Sequence, residues 1–412
     1  MGEEAEVAAI PHLAARWTPS SLAAVAASVE SGAEGLAGLE PSRLVRAWRD
    51  AVAAFRDPGS TERRTLDAAL ARTTRLSPEG LTAGLEAVLG GVAGEEAERV
   101  LSGTEPAPDR RPVVVFLAAN LPALGVQPLL PILALRRPAV LKSPSAEPFF
   151  LPAFITALAA REPALGEAVA AVTWRGGNRE LEGPLLAAAH RIVAYGEADT
   201  LADLDRRAQG KLVGYGPKTS LAVVGDEADP AHVASGLARD VALFDQRGCL
   251  SIAAVYTTQP PETLADALAA ELADLARRWP PGPPDPLAAA AVRHLRDLAD
   301  LDGYHRPEPA PDLPLAAGTV VVDPDPTFRP TPGLRTVRVH PLPDPTALIA
   351  HLHSWRGRFQ GCATAGLPAH HDAYLRRTLA DLGVSRIVPP GELQSPGVRW
   401  HNGGIDPLAA LS

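Results

Sequence analysis

The sequence predicts an α/β protein whose sheet is largely parallel, with a helical region in front of it. From Arg110 onward, short runs rich in β-branched residues alternate with Ala- and Leu-rich stretches that are long enough for crossover helices. Residues 1–108 are instead rich in Ala, Leu, Arg and Glu and contain no strand-like run. The difference in composition and residue pattern between these two parts indicates a helical N-terminal region followed by repeated βα units.

The helical region contains an amphipathic segment at residues 41–57. Leu44, Trp48, Val52 and Phe55 recur there at spacings of four, four and three residues, which places them on one helical face. We expect that apolar face to pack against the α/β part of the chain.

The α/β part resolves into separate strands and helices. Strands are predicted at 113–118, 139–142, 170–173, 191–194, 221–224, 252–257, 319–322, 335–340 and 386–388. Helices are predicted near 128–135, 351–359 and 370–382. No strand is followed by Gly-x-Gly-x-x-Gly, so the usual dinucleotide fingerprint is absent.

Composition excludes several classes of protein. The 412 residues carry 39 Lys and Arg against 48 Asp and Glu, a formal net charge of −9 that argues against a nucleic-acid binder. Two cysteines exclude a disulfide framework. The acidic start is not followed by the apolar stretch of a secretory signal. The uncharged segment 112–135 is interrupted by four prolines and two amides, which argues against a membrane span. We expect a soluble, cytoplasmic protein.

Rare residues mark candidate functional positions. Arg replaces Lys almost everywhere, and the three remaining lysines are Lys142, Lys211 and Lys218. Lys142 follows an apolar strand, and Asn120 follows the strand before it. Because ligand-binding groups of parallel sheets collect at the carboxyl ends of strands, both are candidates for a site, although Asn120 could equally cap its loop.

Either cysteine could be a nucleophile on local sequence alone. Cys249 follows Gly248 and precedes a β-rich run, so its thiol could be exposed on a tight turn. Cys362 follows Gly361 in a similar setting. A buried, inert thiol is the commoner fate of a free cysteine, and the local sequence does not separate the two.

Taken in order, these segments resemble the aldehyde dehydrogenase superfamily, and most closely the acyl-CoA reductase family that includes the bioluminescence fatty-acid reductase subunit. The similarity covers roughly residues 60–390. The segments that carry it are Val113–Ala118 with Asn120, Ala139-Val140-Leu141-Lys142, Ile192-Val193-Ala194-Tyr195-Gly196, Tyr215-Gly216-Pro217-Lys218-Thr219-Ser220 and Asp245-Gln246-Arg247-Gly248-Cys249. The resemblance implies two Rossmann-like parallel-sheet domains.

The resemblance also implies a division of the chain. It comprises an N-terminal helical region packed on the cofactor domain, a cofactor-binding domain, a catalytic domain and a C-terminal tail. Their predicted bounds are 1–108, 109–243, 244–385 and 386–412.

Residue roles follow from the same resemblance. Cys249 matches the nucleophile, and the Asn120 amide matches the donor that stabilises the oxyanion together with the Cys249 backbone N–H. Cys362 matches no functional position, and Lys218 is expected to fix its loop structurally. The residues implied in cofactor binding are Lys142, with Ser143 and Ser145 beside it, the turn formed by Gly196 and Glu197, and Gly216.

Two departures from the family pattern bear on the reaction. Ordinary aldehyde dehydrogenases carry, four residues before the lysine that matches Lys218, a Glu that activates water; here that position is Gly214. Without such a base, a thiol such as coenzyme A becomes the natural acyl partner. A second family Glu, which holds the nicotinamide ribose, is expected near residues 323–330, where only Asp323, Asp325 and Arg329 are charged.

The implied activity is reduction of an acyl thioester, either acyl-CoA or an acyl carrier protein thioester, to an aldehyde through a Cys249 thioacyl-enzyme. NADPH is expected as the cofactor ahead of NADH, because Lys142 is followed by two serines and by no acidic residue before Glu147. Two alternatives remain open: an aldehyde dehydrogenase that oxidises an aldehyde to an acid or acyl-CoA, and a catalytically silent scaffold or partner subunit. The family implies a homodimer or tetramer.

A metal site is not expected. The candidate ligands are His351, His353, His370 and His371, but residues two apart on a helix do not share a face.

Overall fold

The computed structural model describes residues 16–119, 121–308 and 310–412. The helical region is confirmed over its described part. It consists of α1 (Pro19–Ser31), α2 (Ala33–Ala37), α3 (Pro41–Arg56), α4 (Thr61–Thr74), α5 (Pro78–Gly91) and α6 (Gly94–Gly103). The predicted apolar face lies on α3, where Leu44, Trp48, Val52 and Phe55 are all buried.

The first sheet has five parallel strands in the order β3-β2-β1-β4-β5. Its strands are β1 (Val113–Phe116), β2 (Ala139–Ser143), β3 (Val169–Thr173), β4 (Arg191–Tyr195) and β5 (Leu212–Tyr215). The helices between them are α7 (Val126–Ala134), α8 (Phe150–Arg161), α9 (Pro163–Ala168), α10 (Arg179–Ala188) and α11 (Ala198–Ala208). The central strand β1 is buried along its whole length, as expected of a parallel strand covered on both faces.

The second sheet has six parallel strands in the order β11-β10-β6-β7-β9-β8. Its strands are β6 (Thr219–Val224), β7 (Ile252–Thr257), β8 (Thr319–Val322), β9 (Thr336–Pro341), β10 (Phe359–Ala365) and β11 (Arg386–Val388). The remaining helices are α12 (Pro230–Ala242), α13 (Pro261–Arg278), α14 (Pro286–Leu301), α15 (Leu348–Leu352), α16 (Ala369–Asp381) and α17 (Pro407–Leu411). The predicted α/β class with parallel sheets is thereby confirmed.

Two strands were not predicted, and one predicted helix is wrong in its second half. Residues 351–359 were expected to be helical, but α15 ends at Leu352 and a single 3-10 turn follows it. β10 then begins at Phe359 and is rich in small residues, so its sequence lacks the β-branched signal. It is a strand because β6 and β11 pair with its two edges. The short edge strand β5 was missed as well.

The chain crosses from the first sheet to the second between β5 and β6. The predicted cofactor-binding segment ends at residue 243 and therefore includes β6. In the structure β6 pairs with β7 and β10 of the second sheet, so the crossing lies at residues 216–218. The sheet to which β6 belongs is decided by pairing between strands that are far apart in sequence, and the local sequence does not indicate that pairing.

The helical region packs on the first sheet through aromatic side chains. The Trp48 and Phe154 ring centroids lie 5.7 Å apart in an edge-to-face arrangement. Phe55 makes the same kind of contact with Phe150 at 5.2 Å. Such pairs contribute about 0.5–1.5 kcal/mol beyond the burial of their area. At the far end of the chain, Leu411 of α17 joins the same hydrophobic core.

Helix α5 approaches the second sheet at Gly84, which gives the first testable prediction. A Cβ at this position would lie 2.3 Å from a ring carbon of the buried Phe244. We expect Gly84→Ala to lower the free energy of unfolding by about 1–3 kcal/mol in urea unfolding, because the ring is confined by its own packing.

Gly183→Ala is the matched control, since Gly183 is an exposed residue of α10 and a methyl group added to it would meet no atom within 4 Å. Ala is the better helix former, so we expect that variant to be up to about 1 kcal/mol more stable. Equal stabilisation by both substitutions would contradict the close approach at Gly84.

Candidate active site

A cleft of about 1210 Å³ lies between the two sheets. The carboxyl ends of β1, β2, β4 and β5 open into it from the first sheet, and the loop before β7 closes it from the second. The convergence of parallel strand ends is the usual place for a ligand site in α/β proteins. The residues named from the sequence that line the cleft include Cys249, Lys142, Gly196, Glu197, Gly216 and Lys218.

Cys249 stands on the loop between α12 and β7 and is partly exposed to the cleft. The Ser220 hydroxyl, at the start of β6, donates a hydrogen bond of 2.9 Å to the Cys249 carbonyl oxygen. The loop therefore holds the backbone of Cys249 against the second sheet while the thiol faces the space between the sheets.

The loop reaches Cys249 through an unusual backbone. Phe244, Asp245 and Gln246 all have positive φ, at 55°, 51° and 63°. Non-glycine residues rarely adopt this region, so three in succession must be held by their surroundings.

The side chain of Gln246 fixes this stretch of backbone with hydrogen bonds to two strands. Its side-chain amide donates to the carbonyl oxygens of Ile252 and Thr336, both at 2.7 Å, and its Oε1 accepts the Thr336 N–H at 2.8 Å. One side chain thus joins the loop to β7 and β9 with three hydrogen bonds. Gln246 matches the family loop in sequence, but no role was predicted for it.

The neighbouring side chains anchor the loop further. Asp245 forms a buried ion pair with Arg335 at 2.8 Å, with side-chain exposures of 11% and 1%. Its second oxygen accepts the N–H of Gly282 at 3.0 Å. On the other side, Arg247 donates to the carbonyl oxygen of Thr74 at the end of α4. The helical region and the second sheet therefore both fix the segment that carries Cys249.

Opposing effects act on the Cys249 thiol. Burial raises the pKa of the thiol to about 11, while the backbone N–H groups of Cys249 and Leu250 and the Lys218 ammonium favour the thiolate. Lys218 lies in the same cleft and donates to the Phe359 carbonyl oxygen at 3.4 Å. The Lys218 ammonium therefore lies close enough to the Cys249 thiol to favour its ionisation, and it also holds the backbone at Phe359.

Cys362 has no access to the cleft. It lies inside β10 with 0% exposure, and burial raises its pKa far above the ordinary thiol range. The structure therefore separates the two cysteines, which local sequence did not.

Lys142 forms part of the cleft wall on the first-sheet side. Its side chain is buried, with its ammonium 5.8 Å from the Trp174 ring centroid. Burial lowers the pKa of Lys142, and the nearby Glu182 carboxylate opposes that shift. Neither Ser143 nor Ser145 is among the residues that line the cleft: Ser143 is buried and Ser145 is exposed elsewhere.

The N-terminus of α11 also opens into the cleft. Gly196 and Glu197 precede it, and Glu197 as N-cap makes no side-chain cap hydrogen bond. The first N–H groups of such a helix are donors for a phosphate. Together with the buried Lys142 ammonium, they suit the pyrophosphate and ribose phosphate of a dinucleotide, so the residues present fit a nicotinamide cofactor.

Asn120 lies outside the described residues, so its predicted role as oxyanion donor stays a prediction. Its neighbours Ala119 and Leu121 both line the cleft.

The acidic side chains of the described cleft lining all come from elements of the first sheet. Among the described lining residues they are Glu182, Glu197, Asp199 and Asp203. All four belong to α10, α11 or the turn before α11, on the first-sheet side. Gly214 lines the cleft at the position of the family's base. No acidic residue of 323–330 lines the described cleft, and Asp323 is buried against Arg338 at 2.6 Å.

Several lining residues were not predicted from the sequence: Tyr195, Tyr215, Gln360, Trp400 and Asn402. Tyr195 and Tyr215 directly precede the two glycines that the resemblance singled out, which was an available signal. Gln360 lies in the unpredicted β10, and Asn402 lies in the tail. Only the fold brings these two into the same cleft as Cys249.

The part of the chain that the structure describes offers no metal-binding cluster. It contains no group of three or more His, Cys, Asp or Glu side chains that could hold a metal ion. None of the helices in these described ranges is both long and apolar enough to cross a membrane.

Solved structures define the class of fold. An oxidoreductase from Marinobacter aquaeolei superposes with a TM-score of 0.70 at 17% identity, covering 95% of this chain and 86% of that one. An aldehyde dehydrogenase from Brucella melitensis biovar abortus 2308 gives 0.71 at 13% identity, covering 91% and 82%. The chain has an aldehyde dehydrogenase-like fold, as the resemblance implied.

Residues 94–412 match the acyl-CoA reductase (LuxC) family, so the chain belongs to that family. A long-chain acyl-protein thioester reductase of Aliivibrio fischeri is 25% identical over 305 residues, covering 72% of this chain and 62% of the relative. A long-chain acyl-protein thioester reductase 2 of Photobacterium leiognathi is 26% identical over 149 residues, covering 35% and 31%. The matched part is thus less than two thirds of either relative.

The Arg335–Asp245 pair gives the second prediction. Arg335→Met leaves the Asp245 carboxylate buried without its partner, so we expect the free energy of unfolding to fall by about 3–5 kcal/mol. The matched control is Arg277→Met, which removes an exposed pair with Asp312 and should cost no more than about 1 kcal/mol. Similar small losses in urea unfolding of both variants would contradict the anchoring role of Arg335.

Proposed function

We propose that this protein reduces an acyl thioester to an aldehyde through a thioacyl intermediate on Cys249, with NADPH as the reductant. One observation carries the proposal. The thiol faces a cleft that fits a nicotinamide cofactor, and Gly214, which has no carboxylate, lines that cleft where the family's water-activating base would stand.

The names of the relatives support the choice of substrate class. Both are long-chain acyl-protein thioester reductases, and the family is that of acyl-CoA reductases. The acyl donor is therefore coenzyme A or a carrier protein in thioester linkage.

In the first step the Cys249 thiolate attacks the thioester carbonyl carbon. The carbon–sulfur bond to the donor breaks, and the donor leaves as a thiolate that takes up a proton from solvent. The backbone N–H of Cys249 and the side-chain amide of Asn120 hold the oxyanion in this proposal. One such donor contributes roughly 3–4 kcal/mol to the transition state.

When bound, NADPH would supply the hydride, the bond between the acyl carbon and the Cys249 sulfur would break, and the aldehyde would leave with the Cys249 thiolate restored. The Lys142 ammonium holds the adenosine ribose and its 2′-phosphate. The N–H groups at the start of α11, with Gly196 and Glu197 before it, hold the pyrophosphate. Gly216 lines the cleft beside them. The proposed contacts of Ser143 and Ser145 with the cofactor have less support, because neither residue lines the cleft.

Water competes poorly for the thioacyl group in such a site. Hydrolysis needs a general base within hydrogen-bond reach of the attacking water. Position 214 provides only a hydrogen atom as its side chain, and no acidic residue separates Lys211 from Lys218. The thioacyl group therefore persists until it is reduced or returned to a thiol.

The third prediction concerns the nucleophile. Cys249→Ala removes the attacking sulfur, so incubation with a radiolabelled acyl-CoA should leave no protein-bound acyl group, and NADPH oxidation should stop. Cys362→Ala is the control, because Cys362 is buried in β10 and should leave both readouts near the wild-type level. Aldehyde production by Cys249→Ala at the wild-type rate would refute the proposal.

The fourth prediction concerns cofactor choice. Lys142→Met removes the ammonium proposed to bind the 2′-phosphate, so the ratio of kcat/KM for NADPH to that for NADH should fall by about tenfold or more. Lys211→Met is the control, since the Lys211 ammonium contacts the Leu186 and Ala187 carbonyl oxygens and does not line the cleft. Tighter binding of NADH than of NADPH to the wild-type protein, by fluorescence titration, would overturn the NADPH assignment.

A further inference from the structure

The chain after β11 forms a turn that carries Gln394 into the cleft. This tail turn, residues 389–395, lies on α12, the helix that leads into the loop of Cys249. A Cβ added to Gly236 of α12 would lie 2.6 Å from the carbonyl group of Pro390, so the two backbones are in contact. Gly391 has a φ of +93°, and a Cβ there would lie 3.2 Å from the Gly236 Cα. The tail turn therefore rests directly on α12.

Two charged side chains fix the backbone of the tail turn. The buried Asp240 carboxylate of α12 accepts the N–H groups of Gly391 at 2.7 Å and Leu393 at 3.1 Å. The Arg386 guanidinium of β11 donates to three carbonyl oxygens of the turn, those of Glu392, Leu393 and Ser395. Because both donors and acceptors of its backbone are bound, the tail turn holds Gln394 in one position.

The Gln394 side chain connects the tail turn to the turn that carries Cys249. Its amide nitrogen donates to the Ser251 hydroxyl at 2.7 Å and to the Asp240 carbonyl oxygen at 3.0 Å. The Ser251 N–H donates to the Gly248 carbonyl oxygen at 3.0 Å, which closes a four-residue turn with Cys249 at its second position. Gln394 is buried, and both Gln394 and Ser251 line the cleft.

The Gln394 side chain also lies against the residue before Cys249. A Cβ added to Gly248 would lie 3.0 Å from the Gln394 Oε1 and 3.3 Å from the Ser251 Oγ. From the side of β6, the Ser220 hydroxyl binds the Cys249 carbonyl oxygen at 2.9 Å. The turn of residues 248–251 is therefore held from the tail through Gln394 and from the second sheet through Ser220, and the thiol faces the cleft.

We propose that Gln394 is a positioning residue for the nucleophile: through Ser251 it sets the direction in which the Cys249 thiol enters the cleft. The inference rests on the proposed role of Cys249 in the reaction. A thiolate attacks when its sulfur lies about 3–3.5 Å from the carbonyl carbon, and a displacement of about 1 Å can lower the rate about a hundredfold. A small movement of the turn is thus enough to slow acylation. The proposed cofactor residues lie on the first sheet, away from this contact.

The fifth prediction concerns Gln394→Met, which keeps the length of the side chain and removes both hydrogen bonds that its amide donates. In single-turnover experiments with a radiolabelled acyl-CoA, we expect the rate of Cys249 acylation to fall by at least about tenfold, and kcat with it, because the thiol is misdirected. The Kd for NADPH, from fluorescence titration, should stay within about twofold of the wild-type value, because the start of α11 and Lys142 are untouched.

Gln259→Met is the matched control. Gln259 is also buried, and its amide also donates two hydrogen bonds, to the carbonyl oxygens of Gly225 at 2.8 Å and Ala228 at 2.6 Å, but it is not among the residues that line the cleft. We expect both variants to unfold at a similarly lowered urea concentration, whereas Gln259→Met should be acylated near the wild-type rate. Wild-type acylation of Gln394→Met, or equal losses in the two variants, would overturn the positioning role.

Ser251→Ala tests the path from Gln394 to the nucleophile. It removes the acceptor of the 2.7 Å hydrogen bond and leaves the backbone N–H that closes the turn. We expect slower acylation in this variant, and a double variant with Gln394→Met that is about as slow as the slower single variant, because both substitutions break the same bond. Losses that multiply in the double variant would contradict the path through Ser251.

Amide hydrogen exchange separates this inference from the proposed function, because it needs no turnover. The Ser251 N–H closes the turn, so peptide mass spectrometry should show it exchanging about tenfold faster in Gln394→Met and at the wild-type rate in Gln259→Met. Faster exchange in a protein that forms no acyl-enzyme would support the hold of Gln394 on the turn and refute the reductase. Unchanged exchange and acylation in Gln394→Met, in a protein that does form the acyl-enzyme, would do the reverse.

Discussion

The hydrogen bonds of the Gln246 side chain to the neighbouring strands β7 and β9 are the interaction on which the rest of the site depends. Three consecutive residues before Cys249 carry positive φ, a backbone that costs free energy at each non-glycine position. Gln246 offsets that cost with three hydrogen bonds to the backbones of β7 and β9, and the buried Asp245–Arg335 pair adds a further anchor. Because these contacts fix the loop, Cys249 has a single position just before the start of β7. There it faces the cleft into which the strand ends of the first sheet open.

The helical N-terminal region contributes to the same anchoring. Helix α5 comes so close to Phe244 that a Cβ at position 84 would clash with its ring, and the Thr74 carbonyl oxygen accepts a hydrogen bond from Arg247. The aromatic contacts of α3 with α8 tie this region to the first sheet. The helices therefore connect the thiol-bearing loop to the sheet that carries the cofactor residues, and the separation of the two halves of the cleft is set by packing.

Charge is distributed unevenly along the cleft. The carboxylates lie at the first-sheet end, where Glu182 and Asp203 pair with Arg207. The same lining includes the Lys218 ammonium, the phenols of Tyr195 and Tyr215 and the side-chain amides of Gln360 and Asn402, all of which can donate hydrogen bonds. Donors of this kind favour an anionic sulfur and an oxyanion.

The sequence by itself determined the parallel α/β class, the strands with β-branched residues, and the distinction of Gly214 as a position without a carboxylate. Periodicity and residue type report on local structure, so α3 and most strands were predictable. Only the tertiary structure decided that β6 belongs to the second sheet and that residues 359–365 are a strand, because both depend on pairing with partners far along the chain. It placed Cys362 inside β10 and Cys249 at the cleft, in agreement with the resemblance, and it alone placed Tyr195, Gln360 and Asn402 in one cleft. Those three come from β4, β10 and the tail, and no local pattern encodes contacts at such separations.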